Sequence, residues 1–186
     1  MNDTTKSSVG TISGGLADWT RKLRKTPHID VDYIDAIDAN AADSEVAFAA
    51  EHVRRYIASK GQDDGWDGPR PIVILYTKGK KTGRMRRHPL LCLEHGDERF
   101  VIGSSGGKDR DPAWMVNLRA DPRVHVRFMA ELYEADAEVL GEVDRAAVWP
   151  ELIARYPMFA EYQKSTTRQI PIVRLVAREA KVSDCS

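Results

Sequence analysis

Residues 71–93 read Pro71-Ile-Val-Ile-Leu-Tyr-Thr77, then Lys78-Gly-Lys-Lys-Thr-Gly-Arg-Met-Arg-Arg87, then His88-Pro-Leu-Leu-Cys-Leu93. The outer runs are rich in β-branched, aromatic and aliphatic residues and predict strands. The Lys-Gly and Thr-Gly steps between them predict a tight connection, so the stretch folds as a hairpin. Its tip carries Lys78, Lys80, Lys81, Arg84, Arg86 and Arg87. Cations this close repel one another unless an anion sits among them. Glycines let the backbone approach such an anion, and Lys and Arg supply charge-assisted hydrogen bonds. A phosphate or polycarboxylate ligand is one reading of the tip; a solvated basic hairpin is the other.

Outward from the hairpin, strands follow at 98–104, 124–128, 131–140 and 170–177, with His95-Gly96-Asp97 turning the second pair. Asp111-Pro112 predicts a cap and a first helical residue for a short helix through Arg119. Asp144 to Tyr156 predicts a helix, interrupted by Pro157 and resumed over Met158 to Lys164. Upstream, Ser44 caps a helix whose Val46, Ala47, Ala50, Val53 and Ile57 form an apolar stripe. Many short strands, few helices and no βαβ order predict an α+β fold, mainly antiparallel β, closed as a small barrel with flanking helices.

The predicted organisation is an arm over 1–43, a barrel domain over 44–180 and a tail over 181–186. Met1 to Gly15 is rich in Ser, Thr and Gly and predicts disorder. Leu16, Trp19 and Leu23 share a helical face beside several cations, a pattern that suits peripheral contact with an anionic membrane or docking on the chain's own domain. Pro27 to Asp43 is acidic and alanine-rich, a linker or short helix.

Twenty-eight basic residues against 28 acidic ones exclude a generally basic nucleic-acid binder. Cys92 and Cys185 make no disulfide or metal framework, and His28, His52, His88, His95 and His125 lack metal-ligand spacing, so no metal is expected. A reducing cytoplasm is the expected compartment, with membrane association through the arm as the alternative. The Lys-Lys-Thr-Gly tip fails as a nucleotide-hydrolase loop: Lys80 stands where that loop needs Gly, and a strand follows where a helix should begin. Gly103-Ser104-Ser105-Gly106-Gly107-Lys108 is a second anion-friendly turn, followed by a helix N-terminus. Its plain reading is a surface loop. Tyr156, Phe159 and Tyr162 recur at i, i+3 and i+6 and fall roughly on one helix face, as core residues or as cover for a planar ligand.

Taken in order, these blocks resemble the deazaflavin-dependent nitroreductase family of actinobacteria. The resemblance runs from the Ser44 helix to Ala177. It rests on Gly79-Lys80-Lys81-Thr82-Gly83 with Arg86, on Pro89-Leu90, and on Ser104-Ser105-Gly106-Gly107. Asp111-Pro112-Ala113-Trp114 with Asn117-Leu118, Asp121-Pro122-Arg123-Val124, Tyr156-Pro157 through Tyr162, and Arg168 to Val173 complete it. The resemblance implies a split β-barrel and reduced coenzyme F-420, an 8-hydroxy-5-deazaflavin with a phospholactyl-polyglutamate tail. Flavin mononucleotide is the alternative ligand, but lacks that long anionic tail. By resemblance Lys80, Lys81, Thr82 and Arg86 meet the tail, with Ser104, Ser105, Gly106 and Gly107 on the opposite wall. Gly83, Arg87 and His88 join the cofactor set, and Pro89, Leu90, Trp114 and Asn117 line the ring and linker. Tyr156, Phe159 and Tyr162, with Leu91, form the substrate wall. Tyr156, Tyr162 and Ser104 are the catalytic candidates.

The implied reaction is hydride transfer to a hydrophobic quinone or activated enone, the protein stacking the acceptor and protonating the product. Phe159, Leu91 and Ser105 depart from residues common in nitro-reducing members, which implies weak nitroreduction. The alternatives are a broad detoxifying reductase of aromatic compounds and a lipid- or cofactor-binding protein without turnover.

Overall fold

Period-two patterning decides the architecture, because two faces of one sheet bury different sets of side chains. The computed structural model describes residues 31–43, 47–63, 70–95 and 98–178. Two helices come first, α1 (Val31–Asn40) and α2 (Ala47–Ala58). Strands β1 (Ile72–Lys78), β2 (Met85–His95) and β3 (Glu98–Ile102) follow, then a single helical turn over Ser105–Gly107 and α3 (Ala113–Ala120). Strands β4 (Arg123–Phe128) and β5 (Glu131–Val139), helices α4 (Glu142–Arg155) and α5 (Met158–Lys164), and β6 (Ile172–Ala177) complete the order. The six strands close as β1-β2-β3-β6-β5-β4, every pair antiparallel. The expected antiparallel barrel is therefore what forms.

Directly paired residues share a face. Following the register around, Val73, Leu75, Cys92, Val101, Val126, Ala135 and Val173 lie on one face, and all are fully buried. These small and branched side chains fill the barrel. The other face carries Ile72, Ile74, Leu91, Leu93, Phe100, Ile102 and Ile172, which pack with Val53, Tyr56, Leu152, Tyr156 and Phe159 in one core cluster. Helices α2, α4 and α5 thus cover the outside of β1, β2 and β3. That explains why β1 is buried at every position but Lys78: both of its faces are covered.

β2 is longer than its partner on one side. It pairs with β1 from Met85 to Leu91 but with β3 only from Cys92 to His95. The first half of β2 therefore has an edge that β3 never reaches. Ala42 fills part of it with a parallel bridge, its N–H donating to Met85 O (2.8 Å) and its carbonyl accepting from Arg87 N–H (3.1 Å). Behind that bridge Asp38 of α1 accepts from Tyr76 Oη (2.6 Å) and Arg127 Nη2 (2.5 Å), pinning α1 to the barrel.

Ser44 and the Gly96-Asp97 turn lie outside the described residues, as do the arm over 1–30 and residues 179–186, including Cys185. Among the described residues no helix is long and apolar enough to cross a membrane. One boundary differs in its chemistry. Pro112, not Asp111, is the N-cap of α3, because the Asp111 carboxylate pairs with Arg168 and Arg119 instead. Two guanidiniums hold it more strongly than backbone N–H groups could. The aromatic triplet is also split. Tyr156 is the C-cap of α4 in non-helical backbone, and Pro157 starts the turn into α5, so the three rings span two helices.

Candidate functional site

The β1–β2 tip is closed by Gly79 N–H to Arg84 O (2.8 Å) and Gly83 N–H to Gly79 O (2.7 Å). Gly83 takes φ +68°, a conformation other L-residues rarely adopt. Lys80, Lys81, Thr82, Gly83 and Arg84 are exposed, and Arg86 is half-buried. Among the described residues none of Lys80, Lys81, Arg84 and Arg86 forms an ion pair. Arg87 differs: it points to the other face and pairs with Asp43 at 2.6 Å. That cation serves the Ala42 bridge.

One amide holds the tip to the barrel mouth. Asn117 of α3 accepts from Lys80 N–H at Oδ1 (3.1 Å) and donates from Nδ2 to Thr77 Oγ1 (3.0 Å). Thr77 Oγ1 also lies 3.3 Å from His88 Nε2. Arg86, His88 and Leu90 occupy the β2 face that lines up with the barrel interior, and all three are half-buried. Burial, aided by the neighbouring Arg86, pushes the His88 imidazole down to about 4, so it is neutral near pH 7. Trp114, Met115 and Leu118 are buried with Asn117 on the same helix.

The second turn is held by a residue to which the sequence reading gave no role. Arg168 donates to the carbonyls of Gly103 (3.0 Å), Ser104 (2.7 Å) and Lys108 (2.8 Å), and to Asp111 Oδ1 (2.9 Å). Thr166 adds a bond to Asp109 (2.7 Å). Gly107 sits against α5: at φ +78°, a Cβ there would meet Tyr162 O at 3.0 Å. Ser104 and Ser105 are half-buried and Gly106 is exposed, so the turn presents backbone and hydroxyls outward. α3 runs from this turn to the hairpin tip and so joins the two anion-friendly segments. No local pattern could have assigned Arg168, whose partners lie about sixty residues away in sequence.

The aromatic triplet forms an edge-to-face ladder, Tyr156 to Phe159 and Phe159 to Tyr162 both at 6.0 Å between centroids. Tyr156 and Phe159 are buried in the core cluster, and the Tyr156 phenol donates to Cys92 O at 2.9 Å. Burial pushes that phenol up to about 12. Tyr162 is half-buried, and its hydroxyl makes no hydrogen bond among the described residues. Leu91 is buried in the same cluster, beside Ile72 rather than on the His88 face. Among the described residues no three His, Cys, Asp or Glu side chains gather to hold a metal ion.

Comparison with known proteins matches residues 48–177 to the family described as F420H(2)-dependent quinone reductase. An F420H(2)-dependent quinone reductase of Mycobacterium tuberculosis is 31% identical over 114 residues, covering 60% of this chain and 76% of that protein. A solved F420-H2 dependent reductase is 34% identical with a TM-score of 0.53, covering 57% of this chain and 94% of its own. Another solved chain, described as a domain-swapped dimer, is 33% identical with a TM-score of 0.55, covering 67% and 94%.

Proposed function

The chain belongs to the F420H(2)-dependent quinone reductase family, and from that premise we propose that it passes hydride from reduced coenzyme F-420 to a hydrophobic quinone. Activated enones are further acceptors in this reading, and nitroaromatic reduction is weak. The observation that carries it is the set of four cations, Lys80, Lys81, Arg84 and Arg86, left without ion-pair partners among the described residues. They fit the coenzyme's polyanionic tail. The tip adds backbone N–H groups, and the Ser104–Gly107 turn adds hydroxyls.

When bound, the deazaflavin supplies a hydride-donating carbon; everything else falls to the protein. Lys80, Lys81, Arg84 and Arg86 hold the tail, and Asn117 keeps the tip in place. Half-buried His88 and Leu90 are the groups available to the ring, with Trp114 buried in α3. Reduction of a quinone to its hydroquinone takes up one hydride and one proton. Tyr156 is a poor source of that proton, since its phenol is bound to Cys92 O and its acidity is suppressed. Tyr162 is the phenol whose hydroxyl makes no hydrogen bond among the described residues, and it takes the donor role in this reading. Phe159 presents no hydroxyl to orient a nitro group, which supports weak nitroreduction.

Fluorescence titration with the deazaflavin, followed by its oxidation by a menadione-type quinone, a cyclic enone and a bicyclic nitroimidazole, tests the proposal. The expected order is quinone, enone, then nitroimidazole. Tight binding with no turnover on any acceptor would instead establish a cofactor-binding protein. Nitroimidazole as the best acceptor would overturn the substrate assignment.

A further inference from the structure

The polar contacts from Lys80 to His88 can be oriented by donor and acceptor capacity alone. A backbone N–H can only donate, so Lys80 N–H requires Asn117 to present Oδ1 (3.1 Å). Asn117 then presents Nδ2, which donates to Thr77 Oγ1 (3.0 Å). Thr77 is fully buried, and its hydroxyl has one proton left to place. Among the described residues, the acceptor in reach is His88 Nε2, 3.3 Å away. A neutral imidazole that accepts at Nε2 carries its proton at Nδ1. No described residue takes that proton. His88 is half-buried on the strand face shared by Arg86 and Leu90.

We propose that Asn117 and Thr77 are positioning residues that lock His88 in the Nδ1–H tautomer, and that this N–H donates to an acceptor atom of the bound deazaflavin ring. The second half rests on the functional reading above; the first stands without any ligand. Burial keeps the ring neutral near pH 7, so the donor is one fixed N–H rather than an imidazolium that would bond on both sides. The arrangement also couples the two halves of a long ligand. The backbone N–H at the tail-binding tip sets, through two side chains, which nitrogen of His88 carries the proton.

Nitrogen-15 NMR of imidazole-labelled protein at pH 7.5, with His88 assigned by comparison with His88→Gln, reads the tautomer directly. The expected result is protonated Nδ1 and unprotonated Nε2. The reverse, or a fast-exchanging mixture, overturns the proposal whether or not ligand binds. Thr77→Val should lose the single tautomer and Thr77→Ser should restore it; a Val variant with the wild-type signature overturns the relay. Deazaflavin titration then tests the donor. His88→Asn, whose amide N–H falls near the Nδ1 position, should stay within about threefold of wild type, whereas His88→Gln should lose roughly tenfold and the shift in ligand absorption. Equal affinity and equal spectra for the two variants overturn the ring contact. Failure of wild-type protein to bind the deazaflavin overturns the functional reading and the ring contact with it, while the tautomer result is still decided.

Discussion

The barrel with its helical cover and the hairpin–turn end are built on opposite rules. Inside the barrel, Val73, Leu75, Val101, Val126, Ala135 and Val173 are fully buried, and buried phenols under the helical cover are hydrogen-bonded. Tyr56 is representative: its hydroxyl donates to Ile72 O (2.8 Å) and accepts from Met129 N–H (2.9 Å). At the other end, Lys80, Lys81, Arg84 and Arg86 have no ion-pair partner among the described residues, and glycines hold the turns. The difference separates stability from binding. Satisfied buried groups stabilise the fold, and unsatisfied exposed charges are available only to a ligand.

The comparison breaks most readily at Asp38. Arg127 is 6% exposed and relies on that carboxylate, so Asp38→Ala leaves a buried cation uncompensated. The expected loss is about 3–5 kcal/mol, read as a lowered urea midpoint. A loss below about 1 kcal/mol would show that α1 contributes little to the fold.

Arg168→Ala comes next and sharpens the boundary, because Arg168 stabilises backbone that serves binding. Four acceptors lose a donor at once. Deazaflavin affinity should fall more than about tenfold, with faster amide exchange over 103–111 and a stability cost of about 1–3 kcal/mol. Unchanged exchange in that turn would contradict the assigned role.

At the tip the two properties should come apart. Lys81→Ala or Arg86→Ala removes a charge-assisted contact typically worth ~1.5–3 kcal/mol, so affinity should drop roughly tenfold or more. High salt should shrink the difference, while the urea midpoint stays within the equivalent of about 0.5 kcal/mol. Salt-insensitive binding would remove the polyanion argument.

The two tyrosines should divide in the same way. Tyr156→Phe leaves Cys92 O without its donor and should cost about 1 kcal/mol of stability with turnover nearly intact. Tyr162→Phe should slow turnover several-fold with stability and cofactor affinity unchanged. Equal turnover in both would assign the proton to solvent.

The acid response tests the buried side of the comparison through His88. His88 is held down to about 4 in the fold by burial and by Arg86, against about 6.5 in an unfolded chain. The unfolded state therefore binds more protons between those values. The contribution is complete above about pH 6.5 and is lost as pH falls toward 4. His125, also lowered by burial, acts in the same direction. Urea midpoints at pH 7.5 and 5 should differ less in His88→Gln than in wild type.

Strand content, the hairpin and the antiparallel closure were readable because alternation and turn residues are local signals. The basic tip was readable for the same reason: charge density needs no tertiary context. Arg87 shows where that reasoning stops. In sequence it is one more cation of the cluster, yet register turns it away from Arg86 and His88, toward Asp43. Asp111 reads as a helix cap until Arg168 arrives from the far end of the chain. Tyr156 reads as a ligand cover until the packing of α4 on the outside of the barrel brings its phenol to Cys92 O.

Period, propensity and charge run along the chain, so the residues themselves determined a six-stranded barrel with a basic hairpin and a glycine turn. Which cations pair with described residues, which phenol keeps its proton and which nitrogen of His88 carries one were decided only by folding. Each depends on partners between 11 and 65 residues away: His88 on Thr77, Tyr156 on Cys92, Arg168 on Gly103. A donor's fate is set by the acceptor that three-dimensional packing places within about 3 Å, and no one-dimensional pattern carries that distance.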